Sequence, residues 1–277
     1  MDSRRDLKAA GIEDFNLEAR LILAAAAGKT REELVRDMKL YALGDVEKRV
    51  EDMIARRAAG EPIAYVLGEW EFMGMPFNVD RGVLIPRADT EVLAELAISL
   101  LRTRVGTGVR VLDLCCGTGC IGISIAKMIA DCRVVLVDNS MHALRVARSN
   151  VLRNNVSRNT TCIEADAMKA PPMLLGKFDL IVCNPPYIAS REIPTLDTSV
   201  KDHEPREALD GGPDGLDFYR AIIPKWKTIL KEKGCLMFEC GEGQAQAIID
   251  MLRAEGFERT AAYKDTAGTE RVVAAII

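Results

Sequence analysis

The sequence has few aromatic residues, few histidines and no excess of basic residues. Aromatic residues make up 5% of its 277 residues, histidines number two, and 37 basic side chains stand against 41 acidic ones, for a net charge of −4. The longest early apolar run, 21–27, is far shorter than the ~20 residues of a membrane span, and no secretory signal opens the chain. We therefore expect a cytoplasmic protein without membrane segments that forms no stable complex with nucleic acid through bulk positive charge.

The eight cysteines are interpreted as reduced and mostly buried thiols. Half of them fall within apolar runs, where thiols pack as small hydrophobic groups: Cys162, Cys183, Cys235 and Cys240. Cys115, Cys116 and Cys120 are clustered, but adjacent cysteines are poor tetrahedral ligands and no CxxC pair or nearby histidine completes a set. The sequence therefore predicts no metal site.

Hydrophobic residues at 48% and charged residues at 28% are typical of a globular chain, and its length suits one large and one small domain. Residues 1–60 are predicted to be helical because Leu17, Leu21 and Ile22 recur at helical spacing, as do hydrophobic residues between 46 and 54. Residues 61–86, rich in glycine, proline and aromatics, predict a β-hairpin connector. Its aromatic side chains are interpreted as packing between two domains and holding them together, with ligand contact as the alternative.

Residues 87–277 alternate between apolar strand-like runs and helical patterns, which predicts an α/β domain. A helix is expected at 90–101, and strands are expected at 110–114, 134–138, 160–166, 178–182 and 235–240, with edge strands at 257–263 and 272–277. Runs that are apolar on both faces, with helices between them, indicate a mostly parallel Rossmann-like sheet covered on both sides.

A glycine-containing turn follows the first of these strands. Gly117 and Gly119 allow close backbone approach to a ligand at a helix N-terminus, as nucleotide-type pockets require. The dinucleotide pattern GxGxxG is only partly met, because Gly122 is expected to pack inside the helix. A simple packing turn is the alternative interpretation.

Three successive predicted strands carry an aspartate at or near the carboxyl end: Asp113, Asp138 and Asp166. Ligands of open α/β sheets bind outside these strand ends, and Asp138 stands where an acidic side chain accepts hydrogen bonds from ribose hydroxyls. Helix capping is the favoured interpretation of each aspartate taken alone. Their recurrence on three strands favours a binding site.

Asn184, Pro185, Pro186 and Tyr187 directly follow the apolar run at 178–183. The Asn184 amide both donates and accepts hydrogen bonds, and the prolines fix the chain while leaving carbonyl oxygens free to accept from a substrate amine. Such a site suits a planar amine or amide, with the Tyr187 ring as a wall. A rigid proline turn is the alternative.

These motifs resemble class I S-adenosylmethionine-dependent methyltransferases, and among them the protein-(glutamine-N5) methyltransferases of the HemK/PrmC type, which modify peptide chain release factors. The resemblance extends over nearly the whole chain and is most specific at 83–91 and 204–212, since NPPY is shared with adenine and guanine amino methyltransferases. Two departures are Cys115, where a glycine is common, and Ala88-Asp89, where Pro-Glu is usual.

The resemblance implies S-adenosylmethionine lying across the sheet, with its methionine end over the glycine turn, its ribose on Asp138 and its adenine beside Asp166 and Ala167. The implied cofactor residues are Asp113, Cys115, Cys116, Gly117, Thr118, Gly119, Asp138, Asp166, Ala167 and Asn184. The implied catalytic and substrate residues are Asn184, Pro185, Pro186 and Tyr187, with Arg87 as a further substrate contact. An ion pair is the alternative for Arg87, since an arginine at a domain junction is at least as often a salt-bridge partner. The partner would be the Gly-Gly-Gln loop of a release factor, docked by residues 1–60.

Two other functions stay open at this point. A DNA or RNA amino methyltransferase would use the same NPPY chemistry on an unpaired base, although the negative net charge and the lack of an added basic domain disfavour it. An inactive binding module is disfavoured by the intact Asn184–Tyr187 run and by Asp138.

Overall fold

The computed structural model describes residues 3–37, 44–103 and 108–277. The described chain forms two compact units, one from Met1–Glu69 with Asp197–His203, the other from Trp70–Leu196 and Glu204–Ile277. Residues 38–43, within the predicted helical part, lie outside the described residues.

The first unit is helical, as predicted. Its helices are α1 (Ser3–Ala9), α2 (Phe15–Ala27), α3 (Arg31–Asp37), α4 (Gly44–Ala58) and α5 (Ile63–Leu67). Leu7, Ile22, Val50, Ile54 and Val66 form its core.

The buried face of α2 agrees only in part with the face that the sequence indicated. Leu17 is 47% exposed, whereas Ile22 is fully buried. The buried stripe instead follows Ala19, Ile22 and Ala26, whose spacing of three and four residues places them on one side of the helix.

The hairpin connector is shorter than expected. Strands β1 (Glu69–Phe72) and β2 (Met75–Asn78) form the hairpin, but residues 63–67 are the helix α5, so the expectation of a hairpin there is wrong. Burial of Tyr65 and Val66 stabilises that helix, and Gly68 ends it with a φ of 76°. The domain limits at 60 and 86 stay a prediction.

The second unit contains a seven-stranded sheet. Its remaining elements are α6 (Ala88–Thr103), β3 (Val109–Leu114), α7 (Cys120–Met128), β4 (Cys132–Asp138), α8 (Met141–Arg153), β5 (Thr160–Glu164), β6 (Phe178–Cys183), α10 (Asp217–Trp226), β7 (Leu230–Glu239), α11 (Ala245–Ala254), β8 (Arg259–Lys264) and β9 (Glu270–Ile276), while α9 (Thr198–Lys201) belongs to the first unit.

The strand order is β5-β4-β3-β6-β7-β9-β8, and the five strands from β5 to β7 are parallel, as predicted. The strand expected at 272–277 as an edge strand is instead internal: β9 pairs antiparallel with β7 on one side and with β8 on the other. Only β8 of the two closing strands lies at an edge.

Hydrophobic side chains fill both faces of the sheet. Val111 and Leu112 are neighbours in β3 and belong to opposite cores, as the two-residue period of a strand requires. On the Val111 side lie Leu93 of α6 and Ile123 of α7, and on the Leu112 side lies Trp226 of α10. No helix among the described residues has the length and hydrophobicity needed to cross a bilayer.

Gly122 permits the close packing of α7 on the sheet, as the sequence indicated. A Cβ at this position would lie 2.4 Å from Leu136 Cδ2 and 2.9 Å from Asp113 Oδ2. We expect Gly122→Ala to destabilise the protein, because overpacking costs about 1–3 kcal/mol and exceeds the ~1 kcal/mol gained in helix propensity. Denaturant unfolding measures the difference.

The matched control is Gly44→Ala, at the start of α4, where a Cβ would meet nothing within 4 Å. It should leave the free energy of unfolding unchanged or slightly raised. A Gly122→Ala variant as stable as the wild type would contradict the packing account.

Candidate active site

A cavity of about 550 Å³ opens where the parallel strands end. The residues that follow β3, β4, β5 and β6 meet there, as expected for an open α/β sheet. Six of the predicted site residues line it: Cys115, Gly117, Asp138, Ala167, Asn184 and Pro186. Its volume is in the range of small-molecule sites.

In the turn after β3, Cys115 and Gly117 line the cavity and the other residues do not. Cys116 and Thr118 are buried beneath it, and the Cys116 N–H donates to the Val137 carbonyl oxygen at 2.9 Å. Cys115 has a φ of 59°, a left-handed conformation that costs a residue with a Cβ about 1–2 kcal/mol. This geometry explains why glycine suits position 115.

The Asp138 carboxylate lies at the cavity wall and holds the turn in place. Its Oδ2 accepts from the Gly117 N–H and its Oδ1 from the Ser140 N–H, both at 2.9 Å. Burial raises the pKa of Asp138, and these backbone donors partly offset that shift. Since each carboxylate oxygen can accept more than one hydrogen bond, acceptor capacity toward the cavity remains.

Asp113 lies under the turn and does not line the cavity. Its side chain is fully buried, with Oδ2 accepting from the Gly122 N–H at 2.8 Å. Its Oδ1 has no hydrogen-bond partner among the described residues. Burial raises the pKa of Asp113 to about 7. The position suits support of the α7 N-terminus, and a cofactor contact by Asp113 stays a prediction.

Asp166 follows β5 by two residues and closes its own turn. Its Oδ1 accepts from the Met168 N–H at 2.9 Å, and its Oδ2 lies 3.2 Å from Lys169 Nζ. The flanking Ala165 and Ala167 line the cavity instead. The Asp166 side chain does not line the cavity, and its contact with an adenine stays a prediction.

The run after β6 brings Asn184 and Pro186 to the cavity, whereas Pro185, which is buried like Pro186, does not line it. Asn184 Nδ2 donates to Thr90 Oγ1 at 3.3 Å. The Tyr187 ring does not line the cavity: its hydroxyl donates to Glu239 Oε1 at 3.2 Å. Burial and the Glu239 charge raise the pKa of Tyr187.

Two glycines let the loop at 204–215 pack on this run. A Cβ at Gly215 would lie 2.2 Å from the Tyr187 carbonyl oxygen, and one at Gly211 would lie 2.8 Å from the Pro186 carbonyl oxygen. The close packing places Pro205 and Glu207 at the cavity wall.

Arg87 forms an ion pair instead of lining the cavity. Its guanidinium bonds to the buried Glu204 carboxylate, which also accepts from the Ile85 N–H at 3.1 Å. The pair fixes the segment before α6, from which Gly82, Val83 and Leu84 reach the cavity. A substrate contact by Arg87 stays a prediction.

Sequence reasoning missed a large part of the cavity wall. The missed residues are Gly82, Val83, Leu84, Asn139, Ser140, His142, Ala143, Ala165, Pro205, Glu207, Ala208 and Phe218. The motifs at 83–91 and 204–212 pointed to two of these segments, and the strand ending at Asp138 pointed to the start of α8. Nothing in the local pattern singled out Phe218 of α10.

The cysteines are free, and six of the eight are buried. Within residues 3–37, 44–103 and 108–277, no group of three or more His, Cys, Asp or Glu side chains is arranged to hold a metal ion.

Comparison with known proteins places the chain in a family. Residues 2–68 match the PrmC N-terminal domain, and residues 88–200 match the methyltransferase small domain. Release factor glutamine methyltransferase of Geobacter sulfurreducens is 39% identical over 95% of this chain and 90% of its own length, and that of Clostridium acetobutylicum is 37% identical over 98% and 94%. The chain belongs to the release factor glutamine methyltransferase family.

Solved structures share the fold at lower identity. The hMettl16 catalytic domain, solved in complex with MAT2A 3'UTR hairpin 6, has a TM-score of 0.58 at 18% identity over 81% of each chain. A methyltransferase from Pyrococcus furiosus has a TM-score of 0.53 at 17% identity over 82% of this chain and 98% of its own. These likenesses concern the fold alone.

The left-handed residue of the turn yields a testable stability difference. We expect Cys115→Gly to be about 1 kcal/mol more stable than Cys115→Ala, because both variants lack the sulfur but only glycine adopts a φ of 59° without strain. Chemical denaturation of the two variants measures this difference. Equal stabilities would show that the turn stores no strain at position 115.

Proposed function

We propose that the protein transfers the methyl group of S-adenosylmethionine to the side-chain amide nitrogen of the glutamine in the Gly-Gly-Gln loop of a peptide chain release factor. The observation that carries this proposal is Asn184, an amide held by Thr90 at the wall of the cavity formed at the strand ends. Membership of the release factor glutamine methyltransferase family supports the substrate. The proposed site of action is the cytoplasm, where release factors work.

The residues around the cavity fit S-adenosylmethionine. The cradle at Cys115 and Gly117 suits the methionine end, the Asp138 carboxylate suits the ribose hydroxyls, and the small side chains of Ala165 and Ala167 leave room for a flat base. When bound, this cofactor supplies an electrophilic methyl group on a sulfonium.

Asn184 and Pro185 have the proposed task of holding the glutamine amide. The amide nitrogen is a poor nucleophile because its lone pair is delocalised into the carbonyl. Asn184 Oδ1 and the Pro185 carbonyl oxygen accept hydrogen bonds from the two N–H groups of this amide. They thereby hold its nitrogen facing the methyl group. In the transfer, an N–C bond would replace the S–C bond of the cofactor, and the nitrogen would release one proton to water. Such positioning supplies several kcal/mol of rate enhancement without a strong base, and we assign no general base.

The principal test is a methyl-transfer assay with radiolabelled S-adenosylmethionine. We expect transfer to an intact release factor, with Asn184→Ala lowering kcat on the order of 100-fold or more while cofactor affinity changes little, since the Asn184 contact acts on the acceptor amide. Near wild-type turnover by Asn184→Ala would refute its role. DNA and ribosomal RNA offered in parallel serve as rival acceptors, and preferential methylation of either would defeat the protein-substrate proposal.

Asp138 is tested by cofactor binding. Asp138→Ala should weaken S-adenosylmethionine binding by on the order of 2–4 kcal/mol, because two charge-assisted hydrogen bonds are lost. Asp166→Ala is the matched control, since the Asp166 carboxylate closes its own turn. Calorimetry on both variants decides the point, and unchanged affinity in Asp138→Ala would count against the ribose assignment.

Residues 1–60 are proposed as a second contact for the release factor. A short Gly-Gly-Gln tip buries too little surface for a specific complex, which usually needs about 1,200 Å² in total. Removing these residues should raise the KM for an intact release factor and leave slow transfer to a Gly-Gly-Gln peptide nearly unchanged. Equal losses on both substrates would mean that residues 1–60 only stabilise the catalytic unit.

A further inference from the structure

One histidine lines two cavities of the second unit. His142, the second residue of α8, lines the large cavity at the strand ends and also a smaller cavity of about 250 Å³. The large cavity is lined as well by Gly82, Val83 and Leu84, which follow the hairpin in the chain. The other residues of the smaller cavity come from the same two segments: Asn78, Val79, Asp80, Arg145, Val146 and Ser149. His142 therefore lies where α8 meets the chain after the hairpin.

The imidazole of His142 packs directly on the backbone at Gly82. A Cβ on Gly82 would lie 2.2 Å from His142 Cδ2 and 2.4 Å from His142 Nε2, distances that a real Cβ does not tolerate. Gly82 has no positive φ, so its backbone φ does not by itself require glycine. The imidazole is therefore what excludes a side chain at position 82.

The hydrogen-bond partners of His142 determine its tautomer. Arg145 Nη2 lies 3.0 Å from His142 Nδ1, and Asp80 Oδ1 lies 2.7 Å from His142 Nε2. A guanidinium can only donate, so Nδ1 must accept and the ring hydrogen is on Nε2, which donates it to the Asp80 carboxylate. The ring is therefore neutral, and both of its nitrogens are bound while it packs on Gly82.

Asp80 connects the imidazole to the backbone of the cavity wall. The same Oδ1 accepts from the Gly82 N–H at 2.9 Å, and the Asp80 carbonyl oxygen accepts from the Val83 N–H at 3.2 Å. Val83 is 2% exposed and, like Gly82, lines the large cavity, whereas Asp80 does not. One carboxylate oxygen therefore joins α8 to a stretch of the cavity wall.

The chain on either side of residues 80–84 is held by separate contacts. Before it, the Asn78 N–H donates to Asn150 Oδ1 at 2.6 Å, and Asn78 Nδ2 donates to Ser149 Oγ at 3.0 Å. After it, the Ile85 N–H donates to Glu204 Oε2 at 3.1 Å. Between these two points, the bond of His142 to Asp80 and the packing of its ring on Gly82 join the 80–84 segment to α8.

We propose that His142 is a positioning residue for cofactor binding, which acts through Asp80 and Gly82 to hold the 80–84 segment at the wall of the large cavity. Asp138 and Ser140, which precede His142 in the chain, line the same cavity and belong to the proposed ribose end. A wall that is already in place has little conformational freedom to lose when a ligand binds, which favours affinity. This inference rests on the proposed function, since it takes S-adenosylmethionine as the occupant.

The first experiment is calorimetric titration of S-adenosylmethionine into the wild type, His142→Ala, Asp80→Ala and the double variant. We expect each single variant to bind about fivefold to tenfold more weakly, as the loss of one orienting hydrogen bond implies. The double variant should bind no more weakly than Asp80→Ala, because both changes remove the same contact. Unchanged affinity in Asp80→Ala, or losses that add in the double variant, would overturn the proposal.

The packing on Gly82 is tested in two backgrounds. In the wild type, Gly82→Ala should weaken S-adenosylmethionine binding about fivefold or more, because the new methyl group displaces the imidazole. In His142→Ala, where the imidazole is gone, the same substitution should cause no further loss. Equal losses from Gly82→Ala in the two backgrounds would show that the imidazole is not the cause, and would overturn the proposal.

Ser149→Ala is the matched control on α8. Ser149 lines the smaller cavity and accepts from the Asn78 side chain, while the Asn78 backbone stays bound to Asn150. In methyl transfer, His142→Ala should raise the KM for S-adenosylmethionine about fivefold to tenfold and change kcat less than twofold, whereas Ser149→Ala should change neither by more than about twofold. Equal changes in the two variants would mean a general effect of α8 packing and would overturn the role of His142.

A readout on the cofactor-free protein separates this inference from the proposed function. The Gly82 and Val83 amides, both bonded to Asp80, should exchange their hydrogens about fivefold or more faster in His142→Ala than in Ser149→Ala. Absence of S-adenosylmethionine binding by the wild type would defeat the proposed function, while faster exchange would still support the positioning of the segment. Equal exchange rates in the two variants would overturn the positioning itself.

Discussion

The close approach of the β3–α7 turn to strand β4 is the constraint on which the rest of the site depends. Cys116 and Gly117 donate from their backbones to the Val137 carbonyl and the Asp138 carboxylate. A Cβ on Gly119 would meet Leu136 Cδ1 at 3.0 Å. With the turn pressed onto β4, the carboxylate that ends that strand and the open backbone of the turn face one cavity. A looser turn would separate the two ends of the proposed cofactor site.

A second group of interactions holds the acceptor side of the cavity. Asn184 directly follows β6, and Glu239 is the last residue of β7. Asn184 donates to the buried Thr90 hydroxyl, and the Tyr187 hydroxyl donates to Glu239. Buried polar networks are stable only when their members are paired, and pairing also selects one orientation for each group. Chemistry that depends on positioning a weak nucleophile needs such a selected orientation.

Much of the architecture follows from simple sequence rules. Apolar runs separated by helical patterns predicted the parallel strands, since strands buried on both faces need hydrophobic residues at every position. The local pattern did not predict the short helix at residues 63–67, because burial of Tyr65 and Val66 in the tertiary structure stabilises it. It also could not tell that β9 is inserted between β7 and β8, which depends on pairing between distant segments.

The sequence predicted which segments form the site better than it predicted which side chains line the cavity. Asp113 and Asp138 obey the same strand-end rule, yet Asp113 is the second-last residue of β3 and its side chain is buried, while Asp138 is the last residue of β4 and lines the cavity. A shift of one residue moves a strand side chain to the other face. Glu239, which accepts from the Tyr187 hydroxyl, stands in the sequence as an isolated acid within the apolar run at 235–240.

The central claim is that the strand ends hold a glutamine amide against Asn184. A crystal structure with S-adenosylhomocysteine and a Gly-Gly-Gln peptide tests it most directly. We expect the peptide's glutamine side-chain nitrogen within hydrogen-bond distance, about 2.7–3.2 Å, of Asn184 Oδ1 and of the Pro185 carbonyl oxygen. A glutamine bound away from Asn184, or one whose carbonyl instead of its nitrogen faces the Asn184 amide, would contradict it.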